Sequence, residues 1–159
     1  MSKTEKETKA AGRRLAGLLK PGQTVYLFGE LGSGKTIFVK GMATALGVPE
    51  EDITSASFTI IAEHEGAGKV PFYHIDLYRL EGAGDIHETG LDEYPGQNGI
   101  AVIEWAERLA GPTPPGDGVK VRINVTRRIP STRQGPGTTR QGPREIIIEG
   151  IDEEDWHHS

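Results

Sequence analysis

The sequence predicts an α/β fold, a three-layer sandwich with a mixed, partly parallel sheet and antiparallel edge strands. Three observations predict it: strands alternate with helices early in the chain, strands follow one another late, and the length suits one packed core. The chain has 159 residues, including 22 glycines and 10 prolines, so many turns should surround that core. We therefore predict a single domain over residues 1–159.

The first three elements follow from apolar periodicity. Residues 4–19 predict an amphipathic helix, because alanines and leucines recur on one side of it. TVYLF, residues 24–28, is a short β-rich run typical of a buried strand. A second helix is expected to begin near Lys35, and Gly47 and Pro49 end it.

The middle of the chain predicts two strands, a short helix and a third strand. Residues 57–65 and 69–78 read as strands joined by a turn, which favours an antiparallel pair. Residues 84–94 are expected to form a short helix or two helical turns. Residues 99–105 predict another buried strand that ends in Glu104, with a helical turn after it.

Two final strands enclose an unusual segment. Residues 119–125 alternate between apolar and polar side chains, which predicts a half-exposed strand, and residues 144–150 are expected to pair with it. Between them TRQGP occurs twice, beginning at Thr132 and at Thr139. Because this composition cannot supply a core, we interpret residues 127–144 as a flexible Arg/Gly/Pro-rich connection.

Composition limits the partners and the compartment. The chain has no cysteine and no apolar run near the ~20 residues of a membrane span, and Glu5 and Glu7 argue against a transit peptide. We therefore expect a cytoplasmic protein that has no membrane partner. The net charge of −5 weakens the case for a protein that coats nucleic acid, and we expect no DNA partner.

The charge is nevertheless uneven along the chain. Six arginines and no acidic residue lie between Arg122 and Arg144, whereas residues 152–155 read DEED and form an acidic C-terminal tail. A solvated loop and a solvated tail are one interpretation. A contact surface for RNA or for an acidic protein is the other.

The segment GELGSGKT, residues 29–36, matches the pattern G-x-x-x-x-G-K-[ST] in full. A strand precedes it and a helix follows it, as a phosphate-binding loop requires. Its glycines let the backbone aim N–H groups at phosphate oxygens, and the helix start adds positive potential. The lysine can reach the β- and γ-phosphates, and the threonine hydroxyl can bind Mg²⁺. The fold is thus P-loop NTPase-like, and the predicted nucleotide contacts here are Gly29, Gly32, Ser33, Gly34, Lys35, Thr36 and Ile37.

Two apolar strands end in acids. Glu104 follows IAVI where a Walker B acid belongs, and Asp76 ends YHID. Because ligands bind beyond the carboxyl ends of the strands in open α/β sheets, both acids should lie near Thr36. The alternatives are a solvent-facing Glu104 and an Asp76 that serves only a local salt bridge.

These motifs are compatible with three functional classes. The chain has neither D-x-x-G nor N-K-x-D, which disfavours a guanine-nucleotide switch. The remaining hypotheses are ATP hydrolysis coupled to a partner, a small-molecule or nucleotide kinase with the arginine-rich segment as its lid, and an ATP-dependent binding module.

The segments GELGSGKT, SASFT, FYHIDLYRL and VIEWAERL occur in that order, and TKAAGRRLA near the start fits T-x-x-x-G-x-x-L-A. Together they resemble the TsaE (YjeE) family, small P-loop ATPases of bacterial tRNA threonylcarbamoyladenosine (t6A) biosynthesis. The resemblance runs from about Thr8 to Leu109.

The resemblance implies roles for single residues. Glu104 would be the second Mg²⁺ ligand beside Thr36, and Asp76 would serve hydrolysis, either by directing water or by holding the outer metal shell. Lys35 would act on the phosphates. Trp105 would lie beside the nucleotide, and Thr8 would approach its base or ribose.

Two further features lie near the predicted site. Arg79 would orient Asp76 or bind a partner, with a structural ion pair as the alternative. The family pattern S-P-T-[FY]-T is here Ser55-Ala-Ser-Phe-Thr59, so Ser57 keeps a hydroxyl for the γ-phosphate, water or metal. The missing proline loosens the backbone before it.

The resemblance also implies cofactors and partners. ATP and Mg²⁺ would bind, with ADP as the product, and the partners would be the TsaD and TsaB proteins of the t6A transferase. Hydrolysis would be weak without them and would reset the assembly between turnovers. Contact with tRNA, direct or indirect, stays open because of the basic segment.

Overall fold

The chain is described from a computed structural model. The described residues are 1–54, 60–79, 98–109, 118–126, 128–130, 139–152, 154 and 156. The helices and strands are α1 (Glu5–Leu18), β1 (Thr24–Phe28), α2 (Lys35–Ala45), β2 (Ile61–Glu65), β3 (Pro71–Asp76), β4 (Ile100–Glu104), β5 (Val119–Val125), β6 (Arg128–Pro130), β7 (Thr139–Gln141) and β8 (Arg144–Glu149).

Six of these strands form one sheet in the order β2-β3-β4-β1-β5-β8. The four central strands, β3, β4, β1 and β5, run parallel to one another. The two edge strands, β2 and β8, pair antiparallel with β3 and β5. The mixed sheet with antiparallel edges is therefore confirmed, and the carboxyl ends of four parallel strands lie at one edge.

Both α-helices cover the same face of the sheet. Leu15 of α1 and Phe38 and Met42 of α2 are fully buried, and they pack in one cluster with Val25 and Leu27 of β1. This burial explains why the apolar side chains of α1 and α2 recur at helical spacing. The cluster fixes the start of α2 against the end of β1.

The opposite face of the sheet has its own apolar cluster, formed by Tyr26, Ile75, Leu77, Ile103 and Ala106. Among the described residues no α-helix covers this second face. Residues 84–94, predicted to be helical, lie outside the described part of the chain. The third layer of the predicted sandwich therefore stays a prediction.

In the Arg/Gly/Pro-rich segment, residues 127–144, the structure differs from the sequence-based expectation at two places. Strands β6 and β7 pair antiparallel in a separate two-stranded sheet, which the sequence did not predict because backbone pairing needs no apolar side chains. Arg144, counted among the arginines of a solvated loop, is instead 3% exposed. Over the described ranges, no helix has the length and hydropathy to cross a membrane.

Candidate functional site

The glycine-rich loop connects β1 to α2 at the carboxyl edge of the sheet. Gly34 occupies the N-cap of α2 with φ of 106°, a left-handed conformation that favours glycine. Within the described ranges, no side chain makes a capping hydrogen bond to this helix start. Its first backbone N–H groups are therefore available to an anion, with the positive end of the helix dipole behind them.

Gly29 is required by its close neighbours. A Cβ atom at this position would lie 2.5 Å from the Ile123 carbonyl oxygen and 2.7 Å from Ser33 Oγ. Ser33 is 1% exposed, and its hydroxyl has no hydrogen-bond partner within the described residues. The loop is thus packed tightly against β5 at Gly29.

Lys35 is a buried cation, 5% exposed, at the start of α2. Its Nζ donates hydrogen bonds to the carbonyl oxygens of Gly29 at 2.5 Å and Glu30 at 3.0 Å. The same Nζ lies 3.7 Å from the ring centroid of Trp105, within the range of a cation–π contact. The ammonium group is therefore held at the loop by three contacts.

Burial lowers the pKa of Lys35 below its ordinary value of 10.5. The carboxylates of Glu104, Glu107 and Asp76 oppose that shift, because negative charges favour the protonated amine. Lys35 therefore lies near acidic groups as well as beside two carbonyl oxygens. An anionic ligand would compete with these groups for the ammonium.

Trp105 reaches this lysine through an unusual backbone conformation. Its φ is 59°, which is uncommon for a bulky residue and costs about 1–3 kcal/mol. The turn brings the indole against Lys35 and within 5.0 Å of the Tyr78 ring, measured between centroids. Backbone strain next to a candidate site is consistent with a positioned functional side chain.

The two predicted acids lie side by side. Asp76 and Glu104 are direct partners in the parallel register of β3 and β4, and both are buried. Thr36 Oγ1 donates to Glu104 Oε2 at 3.3 Å. Asp76 Oδ1 accepts a hydrogen bond from the Tyr78 N–H at 2.9 Å. The solvent-facing alternative for Glu104 is therefore wrong.

These groups surround a cavity of about 430 Å³. That volume is in the range of small-molecule sites, about 300–1,000 Å³. It is lined by Glu5, Leu31, Gly32, Gly34, Lys35, Thr36, Ile37, Asp76, Tyr78, Arg79, Glu104 and Trp105.

The oxygen donors in this cavity fit Mg²⁺. A threonine hydroxyl next to one or two carboxylates suits a hard cation that takes its other ligands from water and phosphate. Within the described ranges, no group of three His, Cys, Asp or Glu could hold a metal alone. Thr36 and Glu104 could supply two oxygen ligands, and water or phosphate oxygens would supply the others.

The predicted site residues differ in where they lie. Gly32, Gly34, Lys35, Thr36, Ile37, Asp76, Arg79, Glu104 and Trp105 line the cavity, whereas Gly29 and Ser33 are not among its lining residues.

Thr8 is fully buried, and its hydroxyl bonds to Ser2 Oγ at 2.8 Å. Glu5 is the residue of α1 that lines the cavity. Ser57 lies outside the described residues.

Two residues at the site were missed from the sequence. His74 Nε2 lies 2.8 Å from Glu104 Oε1, and both side chains are buried. A signal existed, because His74 precedes Asp76 by two residues and must share its face of the strand. Arg144 bonds to the loop at Ser33, and no local pattern could have shown this contact across the chain.

The fold and the cavity define a class of protein. It is an α/β protein with a mixed sheet, in which a glycine-rich loop, a lysine, a hydroxyl and two carboxylates meet at the carboxyl ends of parallel strands. The chain belongs to the TsaE family. The family model described as "Threonylcarbamoyl adenosine biosynthesis protein TsaE" matches residues 2–134.

Individual relatives agree with this assignment. The chain is 41% identical to the Treponema pallidum tRNA threonylcarbamoyladenosine biosynthesis protein TsaE, over 72% of this chain and 82% of that protein. The Bacillus subtilis protein of the same name is 43% identical, over 65% of this chain and 63% of the relative. The Streptomyces coelicolor protein is 34% identical, over 89% of each chain.

A solved structure supports the fold. The crystal structure of Bacillus subtilis YdiB has a TM-score of 0.56 and is 37% identical, covering 77% of this chain and 72% of that one.

Proposed function

We propose that this chain is an Mg²⁺-dependent ATPase that supports t6A modification of tRNA together with TsaB and TsaD. The observation that carries the proposal is the meeting of Lys35, Thr36, Asp76 and Glu104 at one cavity. The TsaE family name supplies the pathway. The residues supply the chemistry, because phosphoryl transfer depends mainly on positioning and charge stabilisation.

In the proposed mechanism the loop amides and Lys35 hold the phosphates. Thr36 and Glu104 would hold Mg²⁺, and the metal would supply positive charge beside the phosphate oxygens. Asp76 acts either on the attacking water or on the outer metal shell, as its place beside Glu104 allows. Trp105 lines the same cavity and holds the Lys35 ammonium against its ring.

The mouth of the cavity supports a partner-dependent reaction. Leu31 and Tyr78 line it and are 70% and 42% exposed. These two exposed side chains beside the cavity are the candidate contacts for a protein that covers it. Binding of ATP would favour assembly with TsaB and TsaD, and loss of the γ-phosphate would release it and reset the transferase.

The first test is depletion of the protein followed by mass spectrometry of tRNA nucleosides. We expect threonylcarbamoyladenosine to fall, to be restored by the parent chain, and not to be restored by Lys35→Ala. Unchanged modification after depletion would contradict the proposed pathway.

Two further experiments separate the alternatives. A phosphotransferase would phosphorylate a small molecule from Mg-ATP without TsaB and TsaD, which a phosphoacceptor screen would detect. One arginine of its hypothetical lid, Arg144, is buried and bonded to Ser33. A binding module that needs no hydrolysis would keep tRNA modification at its normal level in Asp76→Ala or Glu104→Ala variants that still bind nucleotide.

A further inference from the structure

Arg144, the first residue of β8, lies behind the glycine-rich loop. It is 3% exposed, and its Nε donates a hydrogen bond of 2.8 Å to the main-chain carbonyl oxygen of Ser33. Its side chain also packs against Gly34, where an added Cβ would lie 2.9 Å from Nε. A guanidinium buried this deeply is costly unless its donors are bonded, and the Ser33 carbonyl is one acceptor that it uses.

The bonded carbonyl belongs to the peptide group that joins Ser33 to Gly34. A peptide group is planar and trans, so its C=O and its N–H point in opposite directions. A donor that holds the Ser33 carbonyl from behind therefore directs the Gly34 N–H away from Arg144. Gly34 lines the cavity, so the orientation of this N–H bears directly on a phosphate bound there.

Arg144 is itself held by the start of the chain. Its main-chain N–H donates to the Ser2 carbonyl at 2.6 Å, and its carbonyl accepts from the Ser2 N–H at 2.7 Å. Ser2 Oγ in turn bonds to the hydroxyl of Thr8 on α1 at 2.8 Å. The contacts thus run from α1 through Ser2 and Arg144 to Ser33.

We propose that Arg144 is a positioning residue for the phosphate site: it fixes the Ser33–Gly34 peptide so that the Gly34 N–H faces the bound phosphate. This inference rests on the proposed function, which it deepens by naming a support of the loop. The family match covers residues 2–134, so this support comes from a part of the chain beyond it. It also gives Thr8 a role through Ser2 that requires no contact with nucleotide.

The test compares Arg144→Met and Arg144→Lys with the parent chain. Methionine keeps much of the apolar stem but removes the donor, whereas lysine keeps the charge on a shorter, unbranched head. Arg13→Met, at an exposed arginine of α1, is the matched control. Hydrogen–deuterium exchange of the amides at 32–36 without nucleotide measures the support directly, with the amides of β4 as an internal reference.

We expect faster exchange at 32–36 in Arg144→Met, a smaller increase in Arg144→Lys, and none in Arg13→Met. The Kd for Mg-ATP should rise about tenfold in Arg144→Met, because a charge-assisted hydrogen bond to the loop is lost. If the methionine variant does not fold, the lysine variant decides by the same two measurements.

Unchanged exchange at 32–36 in the folded variants would overturn the inference, and so would an Mg-ATP affinity equal to that of the parent. A purely structural role would lower the melting temperature without moving either quantity. If the parent chain binds no Mg-ATP, the proposed function fails, and the inference fails with it because no phosphate is positioned. Mg-ATP binding by the parent chain, with unchanged exchange or affinity in the folded variants, is failure of the inference alone.

Discussion

At the scale of single residues, Glu104 divides its two carboxylate oxygens between different partners. Oε2 accepts from the Thr36 hydroxyl at 3.3 Å, and Oε1 lies 2.8 Å from His74 Nε2. Because a carboxylate oxygen accepts, His74 Nε2 carries the hydrogen of that bond. Partners of this kind orient a metal ligand and are often as important as the ligand itself. His74 therefore belongs to the candidate site although it does not line the cavity.

His74→Phe should weaken the response to Mg²⁺. The ring volume stays similar, but Glu104 loses the bond that fixes Oε1, so we expect the Mg²⁺ concentration needed for half-maximal ATP binding to rise about tenfold or more. Titration of Mg²⁺ at constant ATP measures this. A role limited to stability would leave the Mg²⁺ dependence unchanged.

His64→Phe is the matched control for that variant. His64 is on the neighbouring strand β2, and its Nε2 has no hydrogen-bond partner among the described residues. Its ring lies 6.3 Å from the Phe72 ring, measured between centroids, and a phenyl ring at position 64 keeps an aromatic partner there. Equal effects of the two substitutions on the Mg²⁺ dependence would contradict the role assigned to His74.

At the scale of elements, the contact between α1 and α2 depends on two glycines. A Cβ at Gly12 would lie 2.1 Å from the Phe38 carbonyl oxygen, and one at Gly41 would lie 2.0 Å from the Lys9 carbonyl oxygen. Glycine inside a helix costs about 1 kcal/mol relative to alanine, so these positions need a packing reason. The close approach of the two backbones supplies it, and it explains the glycine of T-x-x-x-G-x-x-L-A.

Gly41→Ala should destabilise the protein, by about 1–3 kcal/mol, because the new methyl group forces the two helices apart. Urea denaturation measures the change in the free energy of unfolding. Gly17→Ala is the control on α1, since no atom of the described residues lies within 4 Å of a Cβ there. It should stabilise the protein by about 0.5–1 kcal/mol through helix propensity. Changes of the same sign at both glycines would refute the packing argument.

At the scale of the whole molecule, the sequence predicted what local pattern and strand order determine. The glycine-rich loop, α2 and the strand-end acids Asp76 and Glu104 have local signals, and parallel strands bring their ends together. The sequence did not predict the contact of Arg144 with Ser33, which joins residues 111 positions apart. It also left His74 without a role: its spacing from Asp76 placed it on the same face of the strand, but its contact with Glu104 depends on the pairing of β3 with β4.

The cavity joins elements from distant parts of the chain, so ligand binding should stabilise the whole fold. Glu5 of α1, the loop, and the ends of β3 and β4 all line it. A ligand that binds only the folded state at 100 times its Kd adds about 2.7 kcal/mol. For a domain of this size each kcal/mol moves the melting temperature by about 2–4 °C, so saturating Mg-ATP should raise it by about 5–10 °C.

The same thermal scans distinguish binding at this cavity from binding elsewhere. Lys35→Met should lose the shift with Mg-ATP, because the buried ammonium at the loop is gone. Glu104→Gln should keep the shift that ATP gives without Mg²⁺ and lose the increment that Mg²⁺ adds, since an amide is a poorer magnesium ligand than a carboxylate. A full Mg-ATP shift in Lys35→Met would place the nucleotide at another surface and remove the physical basis for the ATPase proposal.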